Sequence, residues 1–344
     1  MTSFCVALSG DFRKADGTPA YPMFDLAPLE QERGLELRYV DPVDGVMRGD
    51  DLSGVDALIL LAPRFDERSI PKDDRLRLVA RFGVGYDNVD VEACSRAGVA
   101  VAIAPDGVRR PVAVSVLTFM LALAGRLMIK DKITRMGPEG WAKRSDYMGV
   151  GVTGRTLGQL GIGNIGAEVF RLASPLGMRF IAHDPFADPV LAAELGVSLV
   201  GLDELFERSD FVSISVPLTS KTLGLVDSRL LNLMKPSAFL INTARGPIVD
   251  QAALTIALKE KRIAGAGLDV FEVEPTPADE PLLQLDNVIV TPHALCWTDE
   301  CFAGNGAADI RAVLALKRGE RPAAIVNPHV LDDPRWKTSL STCV

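Results

Sequence analysis

One stretch, residues 154–185 (GRTLGQLGIGNIGAEVFRLASPLGMRFIAHDP), restricts what this chain can fold into more than any other. Gly161, Gly163 and Gly166 stand in G-x-G-x-x-G spacing, and the acid Asp184 closes the next apolar run. The spacing alone is common; its surroundings are not. Residues 156–160 read as a strand running into the glycines. Residues 164–176 read as a helix leaving them, with Ile165, Val169, Leu172 and Leu176 at helical spacing. Residues 178–182 read as a second strand. That is a β-α-β unit whose acid falls where a dinucleotide ribose needs one.

Each part has a physical task. Gly161 permits the tight turn out of the strand, Gly163 lets a pyrophosphate approach the backbone, and Gly166 lets the helix pack close to the sheet. The helix start turns unpaired N–H groups and a positive dipole end toward the phosphates. Asp184 is positioned to accept hydrogen bonds from ribose hydroxyls and to repel a 2′-phosphate, and no lysine or arginine lies in 183–186. The expected cofactor is therefore NAD rather than NADP.

The glycine loop begins only at residue 161 of 344, so a further domain is expected from the residues before it. A net charge of −8 argues against nucleic acid or an anionic membrane as partner. No uninterrupted apolar run reaches spanning length, and residues 1–20, with Asp11, Arg13, Lys14 and Asp16, lack a signal-peptide core. Cys5, Cys94, Cys296, Cys301 and Cys343 are scattered without a C-x-x-C pair, which reads as reduced thiols of a cytoplasmic protein and offers no metal site.

Strands alternate with helices on both sides of the glycine loop. Upstream strands are expected at 4–8, 35–40, 56–61, 77–81 and 99–103, with a short helix at 88–97. A long apolar helix follows at 112–129, with Pro111 suited to its start. Downstream strands are expected at 211–216, 238–242, 266–270 and 288–290, with helices at 228–234 and 251–262 between them. The pattern predicts α/β architecture: two doubly wound parallel-sheet domains with a cleft between them, ligands binding at the carboxyl ends of the strands.

Three successive strand ends carry chemistry. Asn242-Thr243-Ala244-Arg245-Gly246 follows one, the acid-rich 269–275 the next, and Thr291-Pro292-His293 the third. Hydride exchange between a secondary alcohol and a nicotinamide needs an acid/base for the alcohol proton, and histidine, with an ordinary pKa of about 6.5, suits it. A neighbouring carboxylate holds the imidazole tautomer, and an arginine offers a planar fork to a substrate carboxylate. Of the three histidines, His183 flanks the cofactor acid and His329 lacks a strand-end context, which leaves His293.

These residues resemble a known family, the D-isomer-specific 2-hydroxyacid dehydrogenases. VARFGVGYDNVD (79–90), LGQLGIGNIG, SVPLT (215–219), NTARGPIVD (242–250), GLDVFEVEP (267–275) and TPH (291–293) are similar to the family's motifs, in order, over about 79–298. The resemblance implies an NAD-dependent oxidoreductase interconverting a 2-oxo acid and a D-2-hydroxy acid. It implies His293 as acid/base, Glu274 paired with it, and Arg245 orienting the substrate. Backbone N–H groups of Gly83, Val84 and Gly85 would hold the substrate carboxylate. Asn164 and Ile165 would contact the pyrophosphate, and Val216, Pro217, Thr222, Thr243 and Asp269 would line the nicotinamide side. It further implies a discontinuous flavodoxin-like substrate domain (1–106 and 300–344), an NAD-binding Rossmann domain (107–299), a returning helix at 301–317, and a homodimer paired through the 112–129 helix, whose apolar face fits interdomain core equally well. An alternative on the same fold is an NAD(H)-sensing, corepressor-like interaction protein. The chain departs from the family pattern at Leu295-Cys296-Trp297, which either narrow the pocket or pack on the returning helix. It also departs at Arg109-Arg110, either a contact for a phosphorylated substrate or a solvated pair.

Overall fold

The structure, a computed structural model, describes residues 3–334 and 336. Cys343 and the far end of the expected 300–344 arm lie outside the described residues. The chain divides into two compact units, Met1–Val108 with Trp297–Val344, and Arg109–Cys296.

The first unit carries β1 (Phe4–Ser9), β2 (Leu35–Val40), β3 (Ala57–Leu60), β4 (Leu78–Arg81) and β5 (Ala100–Ile103). They form one parallel sheet in the order β2-β1-β3-β4-β5. β3 and most of β4 and β5 are wholly buried, as strands covered on both faces must be, and they accordingly read as continuous apolar runs. The Asp299–Lys317 helix packs against β4 and β5, and Thr298 caps it by accepting from the Cys301 N–H.

The second unit carries β6 (Thr156–Leu160), β7 (Arg179–His183), β8 (Val197–Leu199), β9 (Phe211–Ile214), β10 (Phe239–Asn242), β11 (Gly265–Leu268) and β12 (Val288–Val290). All pairings are parallel, in the order β12-β11-β10-β9-β6-β7-β8. Side chains alternate between two cores: Phe239 and Ile241 enter one, while Leu240 enters the other. The order reverses between β6 and β9, which opens a crevice at their carboxyl ends. The doubly wound α/β fold expected from the sequence is thus the fold observed.

The long apolar helix differs from expectation. It spans Pro105–Gly125, with Pro111 inside it, and stops where Arg126 adopts a left-handed conformation (φ 51°) before a separate helix, Leu127–Arg135. Pro105 at the first turn loses no helical hydrogen bond, whereas Pro111 forgoes one. By length and mean hydropathy this helix is apolar enough to cross a membrane, although Asp106, Arg109 and Arg110 interrupt it. Its Val116, Phe119, Met120 and Leu123 are buried in the second unit's core, and a Cβ on Gly267 of β11 would lie 2.7 Å from the Phe119 ring. The close approach of helix to strand requires glycine there. The expected helix 164–176 is α-helical only over Asn164–Ala173 and tightens to a 3₁₀ turn, Ser174–Leu176, at its proline.

Candidate active site

The glycine loop lies at the reversal of strand order. Gly161 has φ 94°, and a Cβ there would meet the Ser215 carbonyl oxygen and Val216 Cγ1, each at 2.8 Å. A Cβ on Gly166 would lie 2.2 Å from the Gly161 carbonyl oxygen, so helix and strand touch through bare backbone. A Cβ on Gly163 would meet nothing within 4 Å. The middle glycine therefore faces open space at the start of the Asn164–Ala173 helix, which no side chain caps. Asn164 is exposed there and Ile165 is half-buried against the core. Uncapped first-turn N–H groups beside an open backbone suit a pyrophosphate. Thr243 Oγ1, at the end of β10, is buried and has no hydrogen-bond partner among the described residues. These features fit a dinucleotide cofactor.

Asp184 performs a task that sequence reasoning missed. Its Oδ2 accepts from the Ile162 N–H at 3.0 Å and its Oδ1 from the Phe186 N–H at 2.8 Å. The acid clasps the glycine loop from the neighbouring strand end while keeping lone pairs for a ribose.

β10, β11 and β12 are neighbours, so their carboxyl ends bring Arg245, Glu274 and His293 to one edge. His293 Nδ1 and Glu274 Oε2 lie 2.7 Å apart, and Glu274 Oε1 accepts from the Phe271 N–H at 2.9 Å. Burial pushes the Glu274 carboxyl up, but the His293 and Phe271 hydrogen bonds and the His293 and Arg245 charges hold it below the ordinary carboxylate range. Glu274 thus stays ionised near neutral pH, accepts from Nδ1–H, and leaves Nε2 as the imidazole's working nitrogen. His293 is half-exposed and holds φ 54°, a left-handed conformation that costs a non-glycine residue energy.

The loop around Arg245 is set by its neighbours. The Asn242 side chain accepts from the Ala244 N–H at 3.0 Å and donates to the Arg245 carbonyl at 2.9 Å, closing a tight turn. A Cβ on Gly246 would lie 1.9 Å from the Phe271 carbonyl, so the arginine loop is pressed directly onto the acid loop. Gln251 braces that acid loop through reciprocal hydrogen bonds with Glu272.

Asp269 is buried at the end of β11. Its Oδ1 accepts from the Thr291 hydroxyl at 2.5 Å, the Ala294 N–H at 3.0 Å and the Leu295 N–H at 3.1 Å. Besides its expected place on the nicotinamide side, its carboxylate anchors both flanks of His293 and sustains that residue's unusual backbone. An acid directly after an apolar strand, 22 positions before the threonine of the T-P-H sequence, was the available signal.

Val216 follows β9 and packs on the core, and Pro217 is exposed beside it. The Thr222 hydroxyl donates to the Pro217 carbonyl at 2.6 Å and accepts from the Thr219 N–H at 2.8 Å, fixing this loop's shape. Gly83, Val84 and Gly85 lie in the first unit, directly after β4, with Gly83 at φ 134°. Arg110 Nη1 pairs with Glu168 Oε1 at 3.0 Å. The Trp297 ring packs edge-on against Tyr21 and Phe302, at 5.4 and 5.5 Å, which realises the helix-packing alternative. Leu295 packs into the second unit's core. His183 Nδ1 meets the Val200 carbonyl at 3.0 Å, and His329 is exposed.

Comparison with known proteins adds an independent line. The family model described as "D-isomer specific 2-hydroxyacid dehydrogenase, NAD binding domain" matches residues 117–294. The chain is 42% identical over 278 residues to a glyoxylate reductase of Korarchaeum cryptofilum, covering 80% of this chain and 84% of that protein. Among solved structures, a glyoxylate reductase from Paecilomyes thermophila superposes with a TM-score of 0.80 at 27% identity, covering 96% of this chain and 100% of the other. D-lactate dehydrogenase from Aquifex aeolicus, complexed with NAD and lactic acid, superposes with a TM-score of 0.79 at 27% identity, covering 94% and 99%.

Proposed function

The chain belongs to the D-isomer-specific 2-hydroxyacid dehydrogenase family, and from that premise we propose that it reduces a small 2-oxo acid, glyoxylate foremost, to the 2-hydroxy acid, D-configured where the carbon is a stereocentre, and that it uses NADH in preference to NADPH. The observation that carries the reading is the 2.7 Å contact of His293 with Glu274 on the strand end next to that of Arg245.

When bound, the nicotinamide supplies the hydride that reaches C2 of the keto acid. The Arg245 guanidinium lies against the substrate's carboxylate and keto oxygen, drawing charge onto that oxygen. His293 Nε2–H delivers the proton to it, which leaves a neutral imidazole whose remaining proton sits on Nδ1. Glu274 stabilises the imidazolium beforehand and fixes that tautomer afterwards. In the oxidative direction the neutral Nε2 takes the alcohol proton. Asp269 keeps the His293 backbone where Nε2 stays accessible.

A panel of glyoxylate, hydroxypyruvate, pyruvate, branched and aromatic 2-oxo acids and phosphohydroxypyruvate, with NADH and NADPH arms, tests this by nicotinamide absorbance. The expected result is turnover of a short, unphosphorylated acid, with kcat/KM at least about tenfold higher for NADH, because the Asp184 carboxylate opposes a 2′-phosphate. Turnover of none of the panel overturns the reading, and equal use of both cofactors removes Asp184 from the ribose role. The native protein is the cleaner probe here: Asp184→Ala would also release the glycine loop at Ile162.

The second unit also leaves large apolar side chains uncovered. Val114, Leu121, Leu127 and Met128, along the Pro105–Gly125 and Leu127–Arg135 helices, are between 45% and 58% exposed. Such a band fits pairing with a second copy. Light scattering on the purified protein should give twice the chain mass at micromolar concentration; a monomer there rejects the pairing.

A further inference from the structure

The face of the second unit's sheet that packs under the Asn164–Ala173 helix is apolar except at one place. Leu157, Phe211, Phe239 and Ile241 fill it. Two residues on from Leu157 and from Phe211, where strand alternation returns to the same face, stand an amide and a hydroxyl: Gln159 of β6 and Ser213 of β9. They are register partners across the two strands, and both are 0% exposed. Gln159 Oε1 and Ser213 Oγ have no hydrogen-bond partner among the described residues. A Cβ on Gly166 would lie 3.4 Å from Gln159 Cγ, so the helix roofs the amide closely. An acceptor and a hydroxyl left unpaired on neighbouring strands of an apolar core are costly. Such groups are commonly satisfied by an internal water.

The other end of the amide is paired. Gln159 Nε2 donates to Ser215 Oγ at 3.0 Å. Ser215 is the first residue past β9, and its N–H donates to the Leu160 carbonyl at 2.8 Å. Its own carbonyl oxygen is one of the two atoms that bar a side chain from Gly161. Side chain, N–H and carbonyl of Ser215 thus all bear on β6 and its glycine turn, and Ser215 leads directly into Val216 and Pro217. We propose that Gln159 is a positioning residue of the cofactor crevice: together with one buried water shared between its Oε1 and Ser213 Oγ, it bridges β6 and β9 and fixes Ser215, and with it Val216 and Pro217, against the glycine loop. The water donates to Oε1 and accepts from the serine hydroxyl, which satisfies both atoms. This rests on the reading that NADH occupies the crevice. The bridge moves no proton and touches no reacting atom. Apolar side chains of matching shape would fill the same space, so its loss is felt in cofactor capture and not in stability.

The test uses the full chain with Gln159→Met, which keeps the volume filled, Ser213→Ala, and the double variant. NADH affinity, read by fluorescence titration, should fall about fivefold in Gln159→Met, the scale of one neutral hydrogen bond. The double variant should be no worse than Gln159→Met, because amide, water and hydroxyl act as one unit. Affinity for AMP, read by displacement of NADH, should stay within about twofold, since the adenosine end is assigned to Asp184. The Tm of the double variant should not fall, whereas a merely structural role would lower it. A high-resolution crystal structure of the unaltered protein should show one water within hydrogen-bond distance of both Gln159 Oε1 and Ser213 Oγ. Unchanged NADH affinity in Gln159→Met, an equal loss for AMP, additive losses, a lowered Tm or a dry site each overturns the bridge while leaving the function standing. If the unaltered protein binds no NADH, the function fails by itself, and hydrogen exchange over 215–219 decides the bridge: faster exchange in Gln159→Met supports it, and unchanged exchange overturns it. Ser213→Ala, which trims a single hydroxyl, carries the same measurements if the methionine variant does not fold.

Discussion

His293→Gln is expected to lower kcat by about 10³-fold, within the range that a positioned acid/base contributes, with NADH affinity unchanged. Glutamine can still donate to Glu274, so the electrostatic setting of the loop survives. What disappears is a ring nitrogen that can give a proton to the keto oxygen and take it back from the alcohol. The cofactor elements, Gly161, Gly163, Gly166 and the Asp184 clasp, follow β6 and β7, away from the β12 end that carries His293. Stopped-flow reduction of the keto acid, paired with a fluorescence titration of NADH, separates the two effects. A variant retaining more than about a tenth of the original kcat would take His293 out of the acid/base role. A variant that loses NADH binding would show instead that the substitution had disturbed the loop held by Asp269.

The sequence spoke most clearly where one residue type has a single physical use. Gly161, Gly163 and Gly166 declared their strand, turn and helix because no other residue tolerates that turn or those approaches, and the parallel sheets followed from apolar runs alternating with helices. Arg245, Glu274 and His293 were legible as a group because each stands just past a strand, although only the sheet order makes those strands neighbours. What escaped were the side chains that hold the backbone of the site's loops. Asp184 as a clasp, Asp269 as the anchor of the 291–295 turn, Asn242 as the turn closer and Gln251 as a brace all donate or accept across 2 to 26 positions in the chain. No periodicity marks such contacts. The Pro105–Gly125 helix was misjudged for a related reason. Pro111 looks like a helix start locally, and only burial of Val116, Phe119 and Met120 against the sheet lets the helix extend through it.

Arg245→Lys should cost about 10²-fold or more in kcat/KM although the charge is kept. Arg245 Nη1 already donates to the Ala244 carbonyl at 2.7 Å, so part of the guanidinium anchors the side chain to its own loop. An ammonium is a compact point charge on a flexible stem and cannot hold that carbonyl and grip a substrate carboxylate at once. The backbone cannot move to compensate. Asn242 closes the turn from one side, and Gly246 is pressed against the Phe271 carbonyl so tightly that a single methyl group would not fit. Losing one charge-assisted hydrogen bond in the ground state, and a second to the keto oxygen as charge develops there, multiplies to this size. The signature is a fall in kcat together with a rise in KM. A rise in KM alone would mean that Arg245 binds the carboxylate without polarising the ketone. An effect below about threefold would mean that it is no substrate clamp at all.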